Sequence, residues 1–262
     1  AVAIERLGVR RGDRVGTLAW NGYRHYELYF AVSGMGAVIH TINPRLFDEQ
    51  ITYIVDHAED RVLFADLTFV PLLERVLGGL DRPPAAVVVM TDRQHMPAVA
   101  LPAGVALHAY EDLVAAADEG FVWPTLDENA AAVLCYTSGT TGPPKGVLYS
   151  HRSTVLHAYA INLPDAIGLR ATDRALPIVA MFHVNAWGIP YAATMVGAAL
   201  VFAGARADGA SLHDLIVSER VTYAAAVPTV SPREMMKLTP STARTVPGRN
   251  SPPVRVLCTT CT

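Results

Sequence analysis

The chain is poor in the features that would give it a simple assignment. It has three cysteines in 262 residues, too few for a disulfide framework. No apolar run approaches the ~20 residues that a membrane-spanning helix needs. Basic tracts are missing and the formal charge is −3, which makes nucleic acid a poor partner. No internal repeat is visible. None of His25, His40, His57, His95, His108, His151, His157 and His213 shows metal-ligand spacing. Cys258-Thr-Thr-Cys261 is a C-x-x-C without a second pair, and Cys135 lies in an apolar run as a core residue would. The opening Ala-Val-Ala-Ile-Glu-Arg-Leu is not a signal peptide and reads like the inside of a helix, so the chain is expected to begin mid-domain. A reducing, cytoplasmic setting fits this cysteine usage.

What is present is a large apolar fraction, 51%, against 17% charged residues. That supports a sizeable core and argues against disorder. Strand and helix patterns alternate along the chain. Strands are predicted at Arg14 to Trp20, Ala37 to His40, Val62 to Ala65 and Val87 to Val89. Helices are predicted at Tyr23 to Gly36, Asp48 to His57 and Leu67 to Leu77. Thr91 to Thr125 reads as a surface connection with one short helix near Glu111 to Ala117. Later, helices are predicted at His151 to Ile161, Gly188 to Met195 and Leu212 to Glu219. Strands are predicted at Arg174 to Val179, Ala199 to Ala203 and Val221 to Val227. The fold class is therefore α/β, with two doubly wound βαβ lobes divided near residue 125. Glu59-Asp60 and Glu111-Asp112 read as surface acids at helix ends.

The tail differs. After Val227-Pro228-Thr229-Val230, Pro232, Pro240, Pro247, Pro252 and Pro253 rule out a long helix. Val254 to Leu257 reads as a strand. Residues 231–262 are expected to be an atypical terminus or out of frame.

The richest stretch is Tyr136 to Val147, Y-T-S-G-T-T-G-P-P-K-G-V, between the apolar runs Ala130 to Cys135 and Val147 to Tyr149. Strand, polar loop and strand follow one another. Glycines let backbone N–H groups close on an anion, hydroxyls donate to phosphate oxygens, and a lysine adds mobile positive charge. Such a loop suits a polyphosphate. It is not a Walker A loop: counting from Gly139, the second glycine position falls on Pro144, and Gly146 follows Lys145. A ligand-free Gly/Pro hairpin is the alternative.

This loop resembles the phosphate-binding signature of the adenylate-forming (AMP-binding) superfamily. Met181-Phe182-His183-Val184-Asn185-Ala186-Trp187-Gly188 resembles its fatty-acyl-CoA synthetase branch. His40 to Leu46, His57 to Asp60, Tyr149 to Arg152 and Val227 to Val230 are also similar to that family. The resemblance implies a ligase for fatty acid, ATP and CoA, working with Mg2+. It implies that Thr137, Ser138, Gly139, Thr140, Thr141, Gly142 and Lys145 hold phosphates, with Thr140 on the magnesium side and Lys145 assisting departing pyrophosphate. His183 would lie between nucleotide and acyl pocket, Val184 on the nucleotide side, and Trp187 at the mouth of an acyl tunnel. Tyr136 is left open between packing and direct contact. The relatives also need a later Tyr-Gly-x-Thr-Glu segment, a ribose-binding aspartate, a hinge and a mobile domain with a catalytic lysine, none of which occurs before Thr262. A partial N-terminal domain, inactive alone, is the expectation, with a homodimer open to a full-length parent. A non-catalytic nucleotide- or acyl-binding module and an aryl- or short-chain acid ligase are the rival readings.

Overall fold

The computed structural model describes residues 1–118, 120–137, 142–227 and 254–258. They form two compact units, Ala1–Thr154 and Val155–Thr262. The first contains α1 (Val2–Arg6), β1 (Arg14–Leu18), α2 (Tyr23–Gly34), β2 (Val38–Thr41), α3 (Asp48–Ala58) and β3 (Asp60–Ala65). These are followed by α4 (Val70–Leu77), β4 (Ala86–Val89), β5 (Ala106–Ala109), α5 (Tyr110–Ala115), β6 (Ala131–Tyr136) and β7 (Gly146–Ser150). The strands form one sheet in the order β5-β4-β3-β1-β2-β6-β7. Every pairing is parallel except the antiparallel β6–β7.

Local sequence accounts for this arrangement. All four residues of β4, Ala-Val-Val-Val, are buried, as a strand covered on both faces requires. On α3, Ile51, Ile54, Val55 and Ala58 are buried, one apolar stripe at helical spacing. They pack with Leu18, Leu63, Leu73 and Val87 in the main core. The α3 start is closed by Gln50, whose Oε1 accepts from the Phe47 backbone N–H at 3.2 Å. It ends at Glu59, whose φ of 54° stops the helix and turns the chain into β3. The connection at 91–125 contains a strand that the sequence pattern did not announce. β5 pairs with β4 at the sheet edge.

Helix α6 (His151–Ile161) leads into the second unit, which continues with β8 (Arg174–Pro177), α7 (Ile189–Val196), β9 (Ala199–Leu200), α8 (Gly209–Ser218), β10 (Tyr223–Ala226) and β11 (Arg255–Cys258). Its sheet runs β11-β10-β8-β9, all parallel. Leu176, Val201, Leu212, Ile216, Val221 and Ala224 form its core. The strand expected at Val254 to Leu257 is β11, one residue further on. Asp173 ties β11 in place: its Oδ2 is 2.5 Å from Arg255 and its Oδ1 accepts from Thr222 at 2.8 Å. Most of the proline-rich tail lies outside the described residues. No helix among the described residues is long and apolar enough to cross a membrane. The sequence divides the lobes near residue 125. In the structure β6 pairs with β2, so both strands flanking the polar loop belong to the first sheet.

One buried group makes the first unit sensitive to acid. The His25 ring is sealed in the core, its Nδ1–H donating to the Trp20 carbonyl and its Nε2 3.1 Å from the Thr17 hydroxyl. Burial lowers its pKa to about 4, partly offset by the Trp20 bond. The unfolded chain therefore takes up this proton first. Stability is fully present above the unfolded value near 6.5 and is lost as pH falls toward 4. The expected loss from this residue is about 3 kcal/mol. Urea unfolding of the wild type and His25→Gln at pH 7 and pH 4.5 checks this, and equal pH slopes in the two would refute it.

Candidate functional site

In open parallel sheets, ligand crevices form outside the carboxyl ends of strands whose connections depart in opposite directions. β1 and β3 are such a pair, but the chain's own residues occupy that place. The Trp20 backbone N–H donates to Asp66 Oδ2 at 2.7 Å, and its indole N–H donates to Thr68 Oγ1 at 2.8 Å. The Trp20 and Phe69 rings are 4.8 Å apart. Burial raises the Asp66 pKa, as expected for a carboxyl enclosed in this way.

The polar loop instead leaves the carboxyl end of β6, where β7 returns antiparallel. Tyr136 is opposite Gly146, and the Thr137 N–H donates to the Lys145 carbonyl at 3.0 Å. The hairpin is thus closed at Thr137 and Lys145. Ser138, Gly139, Thr140 and Thr141 lie outside the described residues. Thr137, Gly142 and Lys145 are all exposed, and Pro144 is buried. Among the described residues, nothing lies within 4 Å of where a Gly142 side chain would begin. Lys145 is one of two lysines in the chain. Among the described residues no group of three or more His, Cys, Asp or Glu side chains is arranged to hold a metal ion.

At the carboxyl end of β6 lies a polar column that the sequence pattern does not announce. The Tyr136 ring packs 5.1 Å from His40 and 5.8 Å from His57. Its hydroxyl is 2.6 Å from His57 Nδ1. Burial, then the nearby charge of Asp60, pushes the Tyr136 pKa up to about 12, so the hydroxyl keeps its proton. The His57 ring in turn stacks on Tyr53 at 5.4 Å. Behind Tyr136, His40 Nδ1 is 2.7 Å from Asp60 Oδ2, both side chains fully buried. Burial, opposed by the His40 contact, raises the Asp60 pKa. Among the described residues, buried His40 Nε2 and Asp60 Oδ1 have no hydrogen-bond partner. Asp60 is therefore not the surface acid that its place after Glu59 suggests. The β1–β3 pairing slips by one residue between Arg14 and Val15. The slip puts Asp60 on the same face as Leu63, since a side chain on Gly16 would meet both. Glu59 remains exposed and pairs with Arg14 at 3.0 Å. Glu111 and Asp112 also form bonds at the surface: Glu111 with Tyr23 and Arg24, and Asp112 with Arg93.

In the second unit, His183 and Val184 are exposed, Trp187 is half-buried, and Asn185, Ala186 and Gly188 are buried. Val184, Asn185, Ala186 and Trp187 have φ of 47°, 50°, 49° and 56°, and Gly188 follows at 72°. This is a left-handed turn built mostly from residues with a Cβ, a conformation costing roughly 1–2 kcal/mol per residue. α7 begins directly after it. The Ala186 N–H is shared between the Ala180 and His183 carbonyls, each at 3.2 Å. His183, Val184 and Trp187 thus share one strained turn. Apart from Asn185 and Gly188, its sequence gives little sign of positive φ.

A family profile described as AMP-binding enzyme matches residues 1–259. The chain is 54% identical over 230 residues to the medium-chain-fatty-acid–CoA ligase of Ectopseudomonas oleovorans, covering 88% of this chain and 41% of that protein. It is 51% identical over 228 residues to the 3-methylmercaptopropionyl-CoA ligase of Ruegeria lacuscaerulensis, covering 87% and 42%. The chain therefore spans about two-fifths of these relatives' length. The crystal structure of the anthranilate CoA ligase AuaEII with anthranoyl-AMP superposes with a TM-score of 0.75 at 26% identity, over 87% of this chain and 42% of that one. The profile match, the two relatives and the superposition agree with the loop's composition and its place at the carboxyl end of β6: the chain belongs to the AMP-binding enzyme family.

Proposed function

We propose that this chain is the phosphate-holding and acyl-side portion of an ATP-dependent fatty-acid–CoA ligase. The observation that carries this reading is the β6–β7 hairpin, closed by Thr137 and Lys145, whose intervening sequence is rich in glycine and hydroxyl residues. In the proposed reaction a carboxylate oxygen attacks the α-phosphorus of ATP. The bond to the bridging oxygen breaks, and pyrophosphate leaves with that electron pair. The thiol of CoA then takes the acyl group and AMP departs. Thr137, Ser138, Gly139, Thr140, Thr141 and Gly142 would donate to phosphate oxygens, and Lys145 would offset the charge gathering on pyrophosphate. A Mg2+ ion, with Thr140 on its side of the nucleotide, would supply further charge neutralisation. His183 would hydrogen-bond a phosphate or the entering carboxylate. Val184 would line the nucleotide side, and Trp187, a broad apolar plate beside Gly188, the acyl entrance.

Titration of MgATP into the 262-residue chain tests the loop. Lys145→Ala is expected to weaken binding about 10- to 100-fold, the loss of one charge-assisted contact. An unchanged Kd would remove Lys145 from the reading. The chain alone is expected to form no acyl-CoA from ATP, CoA and decanoate, and product formation would overturn that. The 51% identity to a 3-methylmercaptopropionyl-CoA ligase supports a second reading, a short-chain acid as substrate. Comparing decanoate with 3-methylmercaptopropionate in a full-length parent separates the two.

A further inference from the structure

A run of left-handed residues persists only where its surroundings hold it. Two contacts from α6 identify the holder. His157 Nε2 is 3.1 Å from the Trp187 carbonyl, which accepts its hydrogen. The same ring covers Gly188, where a Cβ would come within 2.6 Å of His157 Cδ2 and 3.0 Å of Nε2. Further along, Asn162 Nδ2 donates to the Ala192 carbonyl of α7 at 2.9 Å. His157 on α6 and Asn162 just past its end thus clip both the turn and the helix that follows it, each through a main-chain carbonyl. Loss of the first clip would weaken the hold on this strained turn, and a shift of residues 184–187 would re-aim both His183 and Trp187.

We propose that His157 is a positioning residue that holds Val184–Gly188 in its left-handed form and so sets the placement of His183 and Trp187. What those two side chains act on rests on the acyl and nucleotide reading above; the restraint on the turn does not.

Hydrogen–deuterium exchange on the 262-residue chain tests this. In His157→Ala, amides of residues 184–189 are expected to exchange about tenfold faster, as loss of one neutral hydrogen bond predicts. β8 and β10 should keep wild-type rates. His157→Gln retains a donor and should restore most of the protection, whereas His157→Phe keeps a ring over Gly188 and should not. Wild-type exchange at 184–189 in both His157→Ala and His157→Phe would overturn the proposal. So would acceleration spread evenly over β8, β10 and the turn, the mark of a general stability role. If His157→Ala does not fold, His157→Phe against His157→Gln makes the same comparison. Decanoate added to wild type separates this inference from the one beneath it. Failure of decanoate to protect the turn, with the His157 effect intact, removes the acyl reading and leaves the turn assignment in place.

Discussion

Asp60→Ala is expected to lower the unfolding free energy of the chain by roughly 3 kcal/mol, the upper end of the range for leaving a buried donor without its acceptor. The carboxylate accepts from His40 Nδ1 at 2.7 Å, and neither side chain reaches solvent. Without it, the imidazole N–H is left in a site whose Nε2 already has no partner among the described residues. Leaving a buried donor unsatisfied costs its full desolvation. Asp60→Asn keeps an oxygen that can accept the same hydrogen, so its loss should be smaller, about 1–2 kcal/mol. Combining Asp60→Ala with His40→Ala should cost clearly less than the sum of the single changes, because the second deletion removes the group the first left stranded. Urea unfolding at pH 7 measures all four proteins. A loss under about 1 kcal/mol for Asp60→Ala, or strict additivity, would show that the pair is uncoupled. The Tyr136 ring lies directly against His40, so disorder in this pair would reach the last residue of β6, just before the candidate loop.

Asp60 also shows where sequence reasoning stops. The surrounding elements were legible because their burial follows simple periods: Val87, Val88 and Val89 in a strand covered on both faces, and Ile51, Ile54 and Val55 on one side of α3. An acid directly after a helix end belongs on the surface under the same logic, as Glu59 does. Asp60 escapes it through a one-residue slip in strand pairing, a long-range feature that no local pattern encodes. β5 was missed for the opposite reason. Ala106 and Leu107 of this edge strand are exposed and His108 is half-buried, so Ala-Leu-His-Ala shows no apolar run. At the candidate site, the sequence supplies the loop's composition of hydroxyls, glycines and a lysine, and the structure adds the hairpin closure at Thr137 and Lys145. The left-handed turn at Val184–Trp187 was not visible. A valine, an alanine and a tryptophan at positive φ run against local preference, and a contact from His157, distant in sequence, helps oppose that preference.

Gly16→Ala should be about as damaging as Asp60→Ala, with an expected loss of roughly 4 kcal/mol, above the usual 1–3 kcal/mol for overpacking a core. Gly16 is in the middle of β1, the central strand, opposite His40 on β2 and Leu63 on β3. A Cβ there would lie 2.3 Å from Leu63 Cδ2 and 2.9 Å from Asp60 Oδ2. Neither neighbour can yield easily. Leu63 is fully buried in the main core, and the Asp60 carboxylate is held by His40 across the gap that the glycine leaves. The methyl group must either displace the leucine into a packed interior or push the carboxylate off the imidazole, so overpacking and loss of the buried pair occur together. The two costs can be separated. Leu63→Ala in the Gly16→Ala background should recover part of the stability if the collision dominates. It should recover nothing if the broken His40–Asp60 contact dominates, and in that case Gly16→Ala should add little to Asp60→Ala. Thermal and urea unfolding of these combinations read the outcome directly. A Gly16→Ala protein within about 1 kcal/mol of wild type would mean that the strand spacing around β1 is looser than these contacts require.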